Sequence, residues 1–174
     1  ENGFLPDLQA IPADILARAK ILFFNYSNNP TAAVAPAEFF QQVVDFAHRH
    51  RIIAAHDCAY SEVYYDAAHK PSSFLSVDGA RDVGIEFHSL SKTFNMTGWR
   101  IGWACGNPQL ISALARIKDN YDSGVFSAVQ HAAVAALTGP QECIAANNSV
   151  YRERRDVLIA GLRKLGLDAL TPEA

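Results

Sequence analysis

The chain is poor in cysteine, has one methionine, and lacks any long apolar run. Its three cysteines, Cys58, Cys105 and Cys143, are odd in number and never spaced C-x-x-C. That excludes a disulfide framework and fits a cytoplasmic setting. No second cluster joins His48-x-His50 or His56-Asp57 to complete a tetrahedral zinc site, so no metal is expected. Apolar runs stay far below the ~20 residues of a membrane span, which argues against a membrane partner. Charge of one sign is also missing: 15 Lys plus Arg face 18 Asp plus Glu, for a net −3. A strong electrostatic grip on nucleic acid is thereby excluded. The opening Glu1-Asn2-Gly3 reads neither as an initiator methionine nor as a secretory signal. What is present is an ordinary globular composition, 49% apolar and 19% charged over 174 residues. A chain of that length can bury about 70% of its unfolded surface without staples.

Hydrophobic periodicity predicts alternating elements. Residues 1–10 read as a loop, and Pro12 opens a short helix. Ile21–Phe24 is a continuous apolar run, hence a buried strand, ended by Ser27-Asn28-Asn29-Pro30-Thr31. Pro36 starts a helix with Phe39, Phe40, Val43, Val44 and Ala47 on one face. His48 and His50 fall near its end, where cationic residues suit the helix dipole. Ile52–Ala55 is a second strand, stopping at His56-Asp57. Residues 60–80 form a long connection, and Val83–His88 is a third strand. Trp99–Cys105 alternates and carries glycine, as a strand with close backbone approach would. Asn107-Pro108 caps a further helix. Others follow at about 125–137 and 141–165, and Leu167–Leu170 begins another strand. Strands alternating with helices predict an α/β fold, a mainly parallel sheet with helices on both faces.

In such sheets ligands sit beyond the carboxyl ends of the strands. Asn29, Asp57 and the turn Ser89-Leu90-Ser91-Lys92 all follow predicted strand ends. Asp57 comes after four buried positions and needs a cationic or N–H partner to stay ionised. Lys92 sits in a serine-rich turn among apolar neighbours, where a lysine can serve as a nucleophilic amine. Arg100, with two serine hydroxyls nearby, suits a phosphate dianion. A reactive lysine, a buried carboxylate and a Ser/Arg anion site are together what pyridoxal phosphate requires. Taken singly, each residue has a plain structural role: Asn29 and Asp57 in turns, Lys92 on the surface, Tyr60 as a packed aromatic. Their joint order separates the two readings. Ser89-x-x-Lys92 also satisfies the S-x-x-K pattern of penicillin-recognising serine hydrolases. That family further needs S-D-N and K-T-G elements, which the sequence lacks.

The motifs Asn28-Asn29-Pro30-Thr31, Asp57-Cys58-Ala59-Tyr60, Ser89-Leu90-Ser91-Lys92-Thr93-Phe94 and Gly98-Trp99-Arg100-Ile101-Gly102 stand in one order. With them the chain resembles the class I/II aminotransferases, the fold-type I pyridoxal-phosphate enzymes. Asn95–Arg100 and Asp122–Phe126 look most like the aspartate and LL-diaminopimelate branch. The resemblance implies pyridoxal 5'-phosphate as cofactor, with Lys92 as Schiff-base lysine and proton shuttle. It implies Asp57 on the pyridinium nitrogen, Asn29 and Tyr60 on the phenolic oxygen, and Ser89 and Arg100 on the phosphate. Ser91 is a further candidate in the same loop. It also implies amino acid and 2-oxo acid substrates and a homodimer. The fold implied is a partial three-layer α/β/α large domain, its four strands neighbours in the sheet with one antiparallel strand at the edge. Residues 1–140 would belong to that domain, 141–166 to a connecting helix and 167–174 to the start of a second domain. Family members run to about twice this length, so the chain is expected to be an incomplete enzyme with little activity alone. The alternatives are another reaction on the same cofactor, such as β-elimination, or a non-catalytic effector domain. One departure is Ala32, where the family often has glycine, a change tolerable only if φ there is negative.

Overall fold

A computed structural model describes residues 3–174; Glu1 and Asn2 lie outside the described residues. Four strands form one sheet in the order β1-β2-β3-β4: β1 Ile21–Asn25, β2 Ile53–Asp57, β3 Gly84–Ser89 and β4 Gly102–Gly106. The first three are parallel, and β4 pairs antiparallel with β3. The helices are α1 Ala13–Arg18, α2 Ala37–His50, α3 Ala80–Val83, α4 Leu90–Thr93, α5 Pro108–Tyr121, α6 Ser127–Thr138 and α7 Glu142–Lys164. This is the α/β arrangement expected, including the antiparallel edge strand.

The core follows from the patterning. The apolar face of α2 buries Phe39, Phe40, Val43, Val44 and Ala47, and packs with Phe24, Ala54 and Phe74. Fully burying such side chains contributes about 1.5–3 kcal/mol each. Helix α2 stops at Arg51, whose φ of 52° is left-handed and turns the chain into β2. His48, Arg49 and His50 occupy its last turn, as the helix-end reading requires. The opposite sheet face is buried at Ala55 and Ile85 but open at Ile21 and Phe23, which are 58% and 64% exposed.

Several expected boundaries move. The strand expected over Ile52–Ala55 runs to Asp57, so that carboxylate ends the strand instead of following it. The strand expected from Trp99 begins only at Gly102. Thr97–Trp99 is a 3-10 turn and Arg100 is left-handed, at φ 52°, which breaks the extended run. Close approach is real at Gly102, where a Cβ would lie 2.3 Å from the His88 carbonyl oxygen. The loop expected over 1–10 contains a 3-10 turn at Leu8–Ala10. The connection 60–80 carries two more, at Ala67–His69 and Phe74–Ser76. Leu167–Leu170 forms no strand. Instead Arg163 holds the Ala169 carbonyl and the Thr171 hydroxyl, folding the segment back along α7. Among the described residues no helix is long and apolar enough to cross a membrane.

Candidate active site

The parallel register sets Asn25 beside Asp57 and Asp57 beside Phe87, so β1, β2 and β3 end together. Beyond β1, the Asn29 loop is fastened to this end by Asn25. Its Nδ2 donates to the Asp57 carbonyl at 2.9 Å, and its Oδ1 accepts the Asn29 N–H at 2.9 Å. Asn28 adds an internal clasp, accepting from the Thr31 hydroxyl at 2.7 Å. Asn25 was not singled out from sequence, and Asn28 was named only within the Asn28–Thr31 motif, with no role of its own. The signal of Asn25 is a polar side chain closing an apolar strand, which is too common to stand out.

Beyond β2, the Tyr60 turn closes by the Val63 N–H to the Tyr60 carbonyl. Asn29 Nδ2 donates to Tyr60 Oη at 3.3 Å, so the two residues paired by the resemblance do meet. Lys92 Nζ stands 5.8 Å from the Tyr60 ring centroid, over its face. Lys92 itself lies on α4, one helical turn begun by Ser89, whose Oγ accepts the Ser91 N–H at 3.1 Å. Ser91 is buried and its carbonyl accepts from Thr97 Oγ1. Antiparallel pairing sets Ser89 against Gly102, with Leu90 N–H on the Ile101 carbonyl. That carries Arg100 to the same edge, where its guanidinium is exposed and touches the Thr97 carbonyl. Among the described residues, the Asp57 carboxylate and the Lys92 amine form no side-chain hydrogen bond or ion pair. A cleft of about 300 Å³ adjoins the Asn29–Tyr60 pair, lined also by Ser27, Ala32, Val63 and Tyr65.

Beneath this edge, on the α2 side of the sheet, lies a buried polar network that sequence reasoning missed. Glu86 is 1% exposed and His56 fully buried. Glu86 Oε2 meets His56 Nδ1 at 2.9 Å and accepts the Phe74 N–H at 2.8 Å. Its Oε1 meets His88 Nε2 at 2.7 Å and accepts from the Ser73 hydroxyl at 2.8 Å. His56 Nε2 reaches the Tyr26 carbonyl at 3.0 Å. Burial alone would raise the Glu86 carboxyl. The hydrogen bonds from His56, His88 and Ser73 together outweigh it and hold the group well below the usual carboxylate range. Nearby, burial pushes the Cys58 thiol up to about 12, with the Glu86 charge adding to the effect. Cys58 is therefore a neutral packed thiol and no nucleophile.

Ala32 resolves the question left by its departure from glycine. Its φ is 58°, in the left-handed region, while its N–H bonds the Asn28 carbonyl at 2.7 Å. A side chain there costs about 1–2 kcal/mol, and glycine's extra unfolded-state entropy takes back about 0.5–1. Ala32→Gly is expected to stabilise the protein by ~0.5–1 kcal/mol. Chemical denaturation measures it, and a lower midpoint would contradict the strained assignment.

The fold and site define an α/β domain that presents an amine, a carboxylate, an Asn/Tyr pair and a Ser/Arg turn along one sheet edge. The chain matches the family model for aminotransferase class I and II over residues 1–174, and it belongs to that family. It is 58% identical over 173 residues to an LL-diaminopimelate aminotransferase of Moorella thermoacetica, covering 99% of this chain and 44% of that protein. It is 54% identical over 174 residues to the LL-diaminopimelate aminotransferase of Nitratidesulfovibrio vulgaris strain DP4, covering 100% of this chain and 45% of that one. Among solved structures, substrate-bound BacF from Bacillus subtilis superposes with a TM-score of 0.94 at 43% identity, over 99% of this chain and 44% of that one. A probable N-succinyldiaminopimelate aminotransferase from Thermus thermophilus gives 0.90 at 34% identity, over 99% and 46%. The chain thus spans a little under half the length of these relatives. Enzymes of this family work with pyridoxal 5'-phosphate.

Proposed function

We propose that this chain carries the lysine-bearing part of an aminotransferase that moves an amino group from LL-diaminopimelate to a 2-oxo acid. The observation that carries the reading is the meeting of Lys92, Tyr60 and Asn29 at the strand ends, where Asp57 has no side-chain partner among the described residues. The donor set fits pyridoxal phosphate: an amine for its aldehyde, a carboxylate for its ring nitrogen, an Asn/Tyr pair for its phenolic oxygen. Ser89 and Arg100 fit its phosphate, with Ser91 in the same turn. The substrate assignment is supported by the two diaminopimelate relatives at 54% identity and above.

When bound, pyridoxal phosphate supplies an electron sink for the pair left behind as the substrate loses its Cα proton. Lys92 would hold the group through its ε-amine and, with that amine free, would move the proton at the substrate Cα. Asp57 keeps the ring nitrogen protonated, which strengthens the sink. Tyr60 and Asn29 donate hydrogen bonds to the phenolic oxygen and favour its anionic form. Arg100 and the Ser89 hydroxyl anchor the phosphate and fix the ring relative to Lys92. The exposed Ile21 and Phe23 support burial against further protein, and a homodimer is the partner we assign. The free cysteines agree with a cytoplasmic setting.

The test offers the whole protein LL-diaminopimelate with 2-oxoglutarate and follows glutamate. Stoichiometric glutamate without ammonia release is expected. No glutamate from LL-diaminopimelate, with ammonia, a 2-oxo acid and a thiol released from an amino acid carrying a β-thioether, would replace this reading with β-elimination.

A further inference from the structure

Three side chains on one stripe of α7 reach into three different segments. Asn148, Tyr151 and Arg155 are spaced i, i+3, i+7, which puts them on one helix face. Asn148 is 6% exposed, and its Nδ2 donates to the Glu62 carbonyl at 2.9 Å. Glu62 lies inside the turn that carries Tyr60. Tyr151 Oη donates to Asn95 Oδ1 at 2.6 Å. Asn95 follows Lys92 by three residues and is left-handed, at φ 55°. Arg155 lies over the Tyr65 ring at 4.2 Å and donates to the Pro172 carbonyl at 2.8 Å. The Tyr60 turn and the Lys92 turn are therefore both tied to α7. Between those turns themselves, Lys92 Nζ approaches the Tyr60 ring at 5.8 Å.

We infer that Asn148 and Tyr151 are positioning residues that set the Lys92–Tyr60 spacing, an inference that rests on the cofactor reading above. A helix is a stiff ruler, and residues three apart sit about 4.5 Å apart along its axis. One end of this ruler fixes the Tyr60 turn and the other fixes the Lys92 turn. Neither side chain touches the groups that react. Loosening either bond lets the Tyr60 hydroxyl drift from the phenolic oxygen of the Lys92-held cofactor. The anionic form of that oxygen then loses a hydrogen bond, and the proton on the lysine-linked nitrogen is released at a higher pH. A displacement of about 1 Å at such a site is enough to cost on the order of 10²-fold in rate.

The test is a pH titration of the visible absorption band of the whole protein loaded with pyridoxal phosphate, with thermal unfolding measured alongside. Tyr151→Phe and Asn148→Ala are compared with Glu153→Gln, an exposed residue off the stripe. Both stripe variants are expected to raise the titration midpoint by ~0.5 unit or more, with Glu153→Gln unmoved. A midpoint equal to wild type in folded variants, with only thermal stability reduced, overturns the inference. Should Asn148→Ala fail to fold, Tyr151→Phe decides alone, because its hydrogen bond is exposed and its ring is retained. Lys92→Ala serves as the reference for the underlying reading. If it keeps the same band, the cofactor assignment fails; if it loses the band and Tyr151→Phe does not shift, only the positioning role fails.

Discussion

Alanine at Lys92 is expected to reduce amino-group transfer by the whole protein by roughly 10⁴-fold or more. Two tasks fall on this one amine: holding the cofactor and moving the proton at the substrate Cα. Among the described residues, no other amine stands against the Tyr60 ring, and the Lys92 turn is fastened by Ser89, which accepts the Ser91 N–H, and by Thr97, which donates to the Ser91 carbonyl. Loss confined to substrate affinity, with turnover retained, would contradict the assignment. Steady-state rates for wild type and variant at saturating donor decide it. An added small amine separates the tasks further, since it can take the proton without forming the native link.

The second large effect belongs to Glu86. Replacing it with alanine leaves His56 Nδ1, His88 Nε2, Ser73 Oγ and the Phe74 N–H without their shared acceptor. Removing a buried carboxylate and leaving its four hydrogen-bonding partners unpaired costs about 3–5 kcal/mol, a large part of a domain's ~5–15 kcal/mol. Glu86→Gln keeps the shape and part of the bonding, and is expected to cost about 1–3 kcal/mol. The pH dependence has a definite sign. The folded carboxyl sits below its ordinary 4.5, so the unfolded chain binds more protons as pH falls through that value. The stability from ionised Glu86 is present above about pH 4.5 and is lost as pH falls toward the folded value. The gap between wild type and Glu86→Gln should therefore narrow in acid. Urea denaturation between about pH 3 and 7 measures it. A gap that widens in acid would show that the carboxylate is not the stabilising form.

The strands and the strand-end residues were legible because each is a local signal. An apolar run followed by Asn29, Asp57 or Ser89 can be read without knowing what lies beside it. The Glu86 network was not legible, because His56 and Glu86 are 30 residues apart and meet only through the β2–β3 register. On their own strands each looks like an ordinary polar interruption. Arg100 illustrates the same limit at short range. Its neighbours alternate as a strand would, but its left-handed backbone delays β4 to Gly102. Ala32 was legible in part: its departure from glycine was visible, whereas the positive φ that makes it matter required the Asn28–Ala33 loop to be built. Leu167–Leu170 failed as a strand because an apolar pattern needs a sheet edge to join, and Arg163 holds the Ala169 carbonyl instead.

The most direct test of the account is to load the whole protein with pyridoxal phosphate, reduce it with borohydride, and map the modified peptide. The account predicts stoichiometric label on Lys92, lost when Asp57 and Tyr60 are both replaced by alanine. Label on Lys20, Lys70, Lys118 or Lys164 with Lys92 unmodified would contradict it.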